Sequence, residues 1–379
     1  MDLSQSAIAA LSSYYSNVQR KIIGAASLLT LSGILIAGLW PFHSPKNEVY
    51  WLGNRDGLRF GHHGTILSSG PLKFASLDGS SCSFEIWLTP ALTWKTATVF
   101  AFYSSLSHRQ FSFQQSDTDL VLRREIGDGY HQSSLDVNEV FQKDKPVFIT
   151  VTSDGQGMAV YIDGKLAARS LRFGLSTEDF KATLIVATSP LQSNSWPGMV
   201  RGIAIYNSDL NAAEVFRHHQ EWTQKGKPII DDNERALALY LFDERAGNIV
   251  YNHLRSGDDL NLPERYMVVH QLLLERPWKE FITHKSYMQD ALINICGFVP
   301  LGFFFAAYFT SVRQMQRAIF ATIVLGALVS LAIEVIQAYL PTRDSGVTDL
   351  ITNTFGTGVG VALYHAAALP LARVLGPIR

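Results

Sequence analysis

Four windows of the chain, residues 22–40, 291–312, 318–340 and 347–369, are almost free of charge; together they hold only Glu334 and Asp349. A membrane-crossing helix needs about 20 apolar residues, so the pattern predicts four spans. The first run ends at Trp40, an aromatic suited to the membrane interface. It exceeds the ~7–15-residue apolar core of a cleaved leader and lacks a small-residue cleavage site after it, so it reads as a retained anchor. The fourth run is the weakest, because Asp349, Asn353 and several glycines interrupt it.

Between the first two windows the pattern changes to alternation. SFEIWLTP (83–90) alternates apolar and polar positions, and residues 147–170 read as strand, turn, strand, turn, strand. Asp154-Gly155 and Asp163-Gly164 supply the turns. Strands are predicted again at 183–188, 200–207 and 236–244, with one helix over 208–222 that opens on a capping signal. Many short strands with regular turns predict an all-β sandwich or jelly roll. The fold class is therefore a β-sandwich inserted into an α-helical four-span membrane bundle.

The basic residues orient the spans. Arg20 and Lys21 precede the first, Arg313 and Arg317 lie between the second and third, and Arg373 and Arg379 follow the fourth. All three groups fall on one side if there are four spans, which puts both termini in the cytoplasm and residues 42–289 outside. Net charge is −1 and no basic stripe is present, so nucleic acid is not an expected partner. Cys82 and Cys296 lie in different parts of the chain and in no CxxC or Cys/His spacing, so neither a disulfide framework nor a zinc site is implied. No metal or cofactor is expected. The pairs His62-His63 and His218-His219 point apart within each pair and read as surface residues. Trp94 and Trp196 are candidates for stacking on sugars, with core packing as the competing role.

The polar residues of the spans carry the candidate chemistry, since carboxylates inside a membrane are costly. Asp290 and Asn294 are spaced i,i+4 at the start of the second span, Glu334 and Gln337 i,i+3 near the end of the third, and Asp349 and Asn353 i,i+4 at the start of the fourth. Each pair shares a helical face. The topology places all three pairs within roughly 10 Å of the outer ends of their spans. The connecting loop adds Arg343 and Asp344 at the same level. These eight residues either glue helices together or line one ligand pocket, with Glu334 and Asp349 as candidate catalytic bases.

Two resemblances follow. DGLRF (56–60), FEIWL (84–88), VYIDGKL (160–166) and WPGMVRGIAIYNSDLNAAEV (196–215) resemble a LamG-like, concanavalin A-like jelly roll. That resemblance implies a carbohydrate-binding class of fold; the element at 240–263, which usually opens such domains, comes last here. DALINICGFVPLGFF (290–304) and SLAIEVIQAYLPTRDSGVTDLITNTFGTGVG (330–360) resemble the VanZ-like membrane family. The matching positions are Asn294, Gly297, Phe298, Pro300, Leu301, Gly302, Ser330, Ile333, Glu334, Gln337, Arg343, Asp349, Asn353, Gly356 and Gly360. This resemblance implies a role in the bacterial cell envelope and, through the family name, a link to glycopeptide (teicoplanin) resistance. The expected organisation is a cytoplasmic N-terminus and first span (1–41), an extracytoplasmic jelly roll (45–262), an interfacial linker (263–289), a three-helix VanZ-like segment (290–370) and a cytoplasmic tail (371–379). The first reading is an inner-membrane protein whose outer-leaflet pocket binds a membrane lipid or lipid-linked glycan while the jelly roll grips carbohydrate. The others are an enzyme acting on a lipid phosphate through a carboxylate base, and a scaffold whose jelly roll binds a protein.

Overall fold

The alternating middle of the chain forms two antiparallel eight-stranded sheets. In the first, strands run in the order β1 (Val49–Trp51), β2 (Leu58–Phe60), β13 (Gly198–Tyr206), β4 (Cys82–Pro90), β9 (Val147–Ser153), β10 (Met158–Ile162) and β11 (Lys165–Ser170); β14 (Ala236–Tyr240) also pairs with β13. In the second they run β15 (Ile249–Val250), β16 (Leu260–Asn261), β3 (Ile66–Pro71), β12 (Thr183–Val186), β5 (Ala97–Ser104), β6 (Arg109–Ser116), β7 (Asp119–Ile126) and β8 (His131–Val137). The computed structural model describes residues 3–73, 81–126, 131–191, 195–254, 258–278, 287–312 and 315–375. It divides into two compact units, Ser44–His270 and the combination of Met1–His43 with Gln271–Arg379.

In the β unit, inward side chains such as Phe84, Phe100, Phe113, Ile149 and Val151 form one apolar core. Asp163 and Gly164 both have positive φ (49° and 76°) and join β10 to β11 as the two-residue turn that Asp-Gly favours. Strand β9 is buried on both faces. Val147, Ile149 and Val151 belong to the main core, whereas Phe148 packs with Tyr206, Val215 and Trp222 in a second cluster. Helix α3 (Ala212–Lys225) supplies Val215 and Trp222 to that cluster, following the four-residue helix α2 (Thr177–Phe180) in the chain. Asn211 caps α3 by accepting from the Ala213 and Glu214 amides, and Gly226 ends it in the left-handed conformation. Gly202 leaves room for the Trp222 ring, which a β-carbon would approach to 2.1 Å. Tyr206, Trp222, Trp196 and Tyr266 are all buried. Trp196 therefore packs in the core, donating from Nε1 to Gln115 Oε1 at 2.6 Å, while Trp94 is 71% exposed.

The helical unit contains α1 (Leu3–Leu39), α4 (Tyr287–Val312), α5 (Met315–Gln337) and α6 (Val347–Leu375). Three segments among the described residues are long and apolar enough to cross a membrane: Asn17–Leu39, Tyr287–Val312 and Arg317–Gln337. The expected count of four is not reached. Helix α6 is 29 residues long, but Thr348, Asp349, Thr352, Asn353, Thr354 and Thr357 make its first half too polar. Helices α4 and α6 approach so closely that a β-carbon on Gly302, Gly356 or Gly360 would lie 2.0–2.3 Å from a backbone oxygen of the other helix. Phe298, Leu301, Phe305 and Ile333 form a small apolar core with Leu31, Ile34, Leu35 and Leu39 of α1. Arg313 and Arg379, and residues 279–286 of the expected interfacial linker, lie outside the described residues. Of that linker, Tyr266 is buried in the β unit, where its hydroxyl meets Thr188 Oγ1 at 2.8 Å.

Candidate functional site

The last four carbonyls of a helix have no intrahelical partner. At the end of α1, Gln337 Nε2 donates to Gly38 O at 2.8 Å, and Arg343 donates from Nε to Trp40 O at 3.0 Å and from Nη2 to Ala37 O at 3.4 Å. These bonds fix the end of α5 and the start of its following loop. From there the chain crosses to α6, and Glu334 Oε2 accepts from the Gly346 amide at 2.8 Å. Glu334 is only 1% exposed, so this bond holds the loop from beneath. On the other side, Glu275 and Gly346 form a parallel bridge, with Glu275 N donating to Ser345 O and Val347 N donating to Glu275 O.

These elements enclose a polar cavity of about 260 Å³, lined by Glu275, Tyr287, Asp290, Gln337, Thr342, Arg343, Asp344, Ser345, Gly346, Thr348 and Asp349. Five of the eight residues singled out in the sequence, Asp290, Gln337, Arg343, Asp344 and Asp349, thus share one cavity. Asn294 supports it by donating to Asp349 Oδ1 at 2.7 Å. Glu334 acts through the Gly346 bond. Asn353 is separate: its amide donates to Ser330 Oγ at 3.0 Å and ties α6 to α5. Glu275, Tyr287, Thr342, Ser345 and Thr348 were not singled out in the sequence. Thr348 adjoins Asp349, which is the one signal that pointed toward it.

An open apolar groove of about 630 Å³ runs between α5 and α6, lined by Ile323, Leu350, Ile351, Thr354, Phe355, Gly358, Val359 and Ala362. Along α6 the lining passes from Thr348 and Asp349 of the polar cavity directly to Leu350 and Ile351 of the groove.

The β unit holds a buried polar network of its own. Glu85 accepts from Tyr206 Oη at 2.8 Å and Trp222 Nε1 at 3.1 Å, and its Oε1 lies 3.0 Å from His218 Nδ1. His218 Nε2 lies 3.2 Å from Glu234 Oε2, and Arg217 pairs with Glu234 on the other carboxylate oxygen. His218 is wholly buried, not a surface residue as expected; its neighbour His219 is the more exposed of the two. Burial pushes the His218 pKa down, but the Glu85 hydrogen bond and the charges of Glu85 and Glu234 outweigh it, and the pKa is raised. Burial, followed by the Glu85 charge and hydrogen bond, holds the Tyr206 hydroxyl well above the ordinary tyrosine range. Asp243, Glu244 and His253 offer ligand atoms within 4.8 Å of one another, a grouping that could hold a metal and that the sequence did not single out. It is already engaged internally: His253 Nε2 lies 3.0 Å from Asp243 Oδ1, and Glu244 Oε1 accepts from the Tyr251 amide at 2.6 Å.

Comparison with known proteins agrees with the two-part reading. No curated protein matches the chain. Among solved structures, a Bacteroides ovatus protein described as a candidate carbohydrate binder is similar at 9% identity and a TM-score of 0.39, over 58% of this chain and 63% of that one. The chain thus spans less than two thirds of that protein. The CBM40 module of a Ruminococcus gnavus IT-sialidase, bound to α2,3-sialyllactose, is similar at 11% identity and a TM-score of 0.33, over 43% of this chain and 95% of that one. The receptor-binding domain of botulinum neurotoxin C/D mosaic serotype gives 12% identity and a TM-score of 0.36, over 54% and 59%. Family models match two segments, and they are the two anticipated from the residues. Residues 64–216 match the concanavalin A-like lectin/glucanase superfamily, and residues 237–369 match the VanZ/LLP1 family.

Proposed function

We propose that this is a multi-pass protein of the bacterial inner membrane whose helical unit binds a membrane amphiphile and whose β unit binds carbohydrate outside the cytoplasm. The observation that carries the first part is the succession along α6: a polar cavity gives way to an apolar groove between consecutive residues, Asp349 and Leu350. A head group fits the one and an acyl or prenyl chain the other. In this reading α6 is the fourth span. Its 29 residues extend roughly 43 Å at 1.5 Å each, enough to cross a bilayer. Two of its polar side chains, Asn353 and Thr357, are buried within the helical unit rather than turned to lipid. Both termini then lie in the cytoplasm and the cavity faces the outer leaflet. The superfamily match of residues 64–216 supports carbohydrate binding by the sandwich, with exposed Trp94 as a stacking surface.

The test is native mass spectrometry of the full-length protein released from membranes. A retained amphiphile is expected. Gly358 lines the groove, and a β-carbon there meets nothing within 4 Å, so Gly358→Leu fills the groove without a backbone clash. That variant is expected to keep the wild-type unfolding temperature and lose most of the retained amphiphile. Equal retention in both proteins would overturn the groove assignment.

A further inference from the structure

Helix α3 covers only part of the outer face of the first sheet. Beyond it, one row of side chains crosses three strands: Tyr50 of β1 pairs with Arg59 of β2, and Arg59 with Met199 of β13. Leu58, Phe60 and Val200 point into the main core, so these three point outward. Arg59 is exposed, and so is Tyr50, at 54%. Further along β13, a bulge between Val200 and Gly202 inserts Arg201 opposite Trp87 of β4. The Arg201 guanidinium carbon lies 4.6 Å from the centre of the Trp87 ring. The turn joining β1 to β2 closes against this arginine. Leu52 N donates to Gly57 O at 3.0 Å, and a β-carbon on Gly57 would stand 3.4 Å from Arg201 Cγ. The same turn carries exposed Arg55. Burial, and after it the Arg55 charge, lowers the Arg201 pKa.

Three guanidinium groups thus gather on one surface without counter-charges. Among the described residues, no carboxylate lies within 4.0 Å of Arg55, Arg59 or Arg201. The turn's own carboxylate, Asp56, accepts instead from Arg245, whose Nε and Nη2 reach Oδ1 at 3.2 and 3.0 Å. Arg201 Nε is buried without a partner, whereas its two terminal nitrogens are unpartnered but not buried, and so open to solvent. The chain has 33 acidic residues and a net charge of −1, yet spends none of them here. Like charges set side by side repel, and a bound anion relieves that repulsion.

A guanidinium fork matches the paired oxygens of a carboxylate, sulfate or phosphate. Tyr50 adds an exposed aromatic face beside it. Other polyanions fit less well. Nucleic acid calls for a basic stripe on a basic domain, and an anionic bilayer is held by clusters of about four to eight basic residues. We propose that this face binds an acidic glycan, its oxyanion on the open end of Arg201 between Arg55 and Arg59 and a sugar ring against Tyr50. The inference rests on the carbohydrate reading of the β unit and adds the charge of the ligand and its place on the sheet.

The experiment measures binding of the full-length protein, held in phosphatidylcholine nanodiscs, to three pairs of polymers: polygalacturonate and its methyl ester, dextran sulfate and dextran, phosphomannan and mannan. Duplex DNA and vesicles of phosphatidylglycerol with phosphatidylcholine serve as competing polyanions. At least one acidic polymer should bind roughly tenfold more tightly than its neutral counterpart, and the pair that does so identifies the oxyanion. Binding should weaken as salt rises. Arg55→Gln and Arg59→Gln change exposed side chains; together they should keep the wild-type unfolding midpoint and lose roughly tenfold in affinity. Arg201→Lys keeps the charge without the fork and should lose about fivefold. Tyr50→Ala should weaken binding and leave its salt dependence unchanged. Acidic polymers bound no better than neutral ones would overturn the inference, and loss of that neutral binding in Trp94→Ala would leave the carbohydrate reading standing. Preference for DNA or vesicles over every glycan, abolished by the arginine changes, would overturn both readings for this face. Acidic-glycan binding untouched by all three arginine changes, or no binding of any probe, would overturn the proposal.

Discussion

Asn294 donates from Nδ2 to Asp349 Oδ1 at 2.7 Å, so a carboxylate on the cavity wall is held in place by a neutral amide from the facing helix. The bond positions the oxygen on the cavity wall, and its donor carries no charge of its own.

Amide replacements should separate position from charge. In Asp349→Asn the Asn294 bond survives through the remaining carbonyl oxygen, and in Glu334→Gln the Gly346 amide keeps an acceptor. Both variants are expected within about 1 kcal/mol of wild-type stability, in line with the small worth of hydrogen bonds between membrane helices. Asp349→Asn should lose part of the retained amphiphile. Glu334→Leu orphans the buried Gly346 N–H and should cost about 1–3 kcal/mol. Unfolding midpoints in micelles, read beside amphiphile retention by native mass spectrometry, check all three.

The glycines of α4 and α6 should differ sharply in their tolerance. Gly302→Ala and Gly360→Ala push a β-carbon against the Thr357 and Val299 carbonyls, and each is expected to cost at least about 1–3 kcal/mol. Gly358→Ala faces open space and should be neutral or slightly stabilising. Unfolding midpoints of the three purified variants provide the comparison.

The β unit should be more stable in mild acid than in mild base. His218 has a folded pKa raised above its ordinary value of 6.5, so it binds a proton more tightly folded than unfolded. Its contribution is fully present below that ordinary value and is lost as pH rises through the raised one. Thermal unfolding of the full-length protein between pH 6 and pH 9 should therefore show the β transition falling with pH. Glu85→Gln removes the main partner and should flatten that dependence.

The β unit should fold by itself, and its proper limits are wider than the strand pattern suggests. Asn47 Nδ2 donates to Pro263 O, Arg265 Nη1 to Ser44 O, and His270 N to Pro190 O. A fragment of residues 44–270 is expected to be a soluble, β-rich monomer by circular dichroism. A fragment of residues 45–262 lacks buried Tyr266 and should melt several degrees lower.

Topology can be read by labelling introduced cysteines in a Cys296→Ser background, in which the remaining Cys82 is buried in the β core. Trp94→Cys is exposed on the β unit and should react with an impermeant maleimide from outside intact cells. Lys21→Cys should react only after permeabilisation. Reaction of Lys21→Cys from outside would overturn the proposed orientation.

The sequence revealed some features because their signals are local. Asp163-Gly164 specifies its turn by backbone preference alone. Glu334, Gln337, Arg343 and Asp349 stand out because charge and amide groups are conspicuous in apolar windows. Glu275 was illegible for the opposite reason, since it occupies a polar stretch where such residues are ordinary, and Thr348 because an uncharged threonine is unremarkable in a spanning helix even beside Asp349. His218 was misread because its burial depends on α3 covering the outer face of a sheet whose inner face is also packed. Neighbours on a helix point about 100° apart, so one histidine of a pair can enter such an interface while the other stays outside. The fourth span is the least legible, because inward-facing polar residues of α6 lower the hydropathy that its length alone would satisfy.

The partners of Gln337 and Arg343 on α1 are main-chain carbonyls, and this constrains the first helix in an unusual way. Substitution at positions 37, 39 and 40 leaves those acceptors in place, with Gly38 the exception because a β-carbon there would meet Ile333 Cγ2 at 3.1 Å, so much of α1 can drift in composition while remaining apolar. Its length is another matter. One inserted residue would rotate the terminal carbonyls by about 100° and advance them 1.5 Å, beyond the reach of both donors. Generic anchors of equal hydrophobicity but different register should therefore insert into the membrane and still leave the wall of the cavity unbraced.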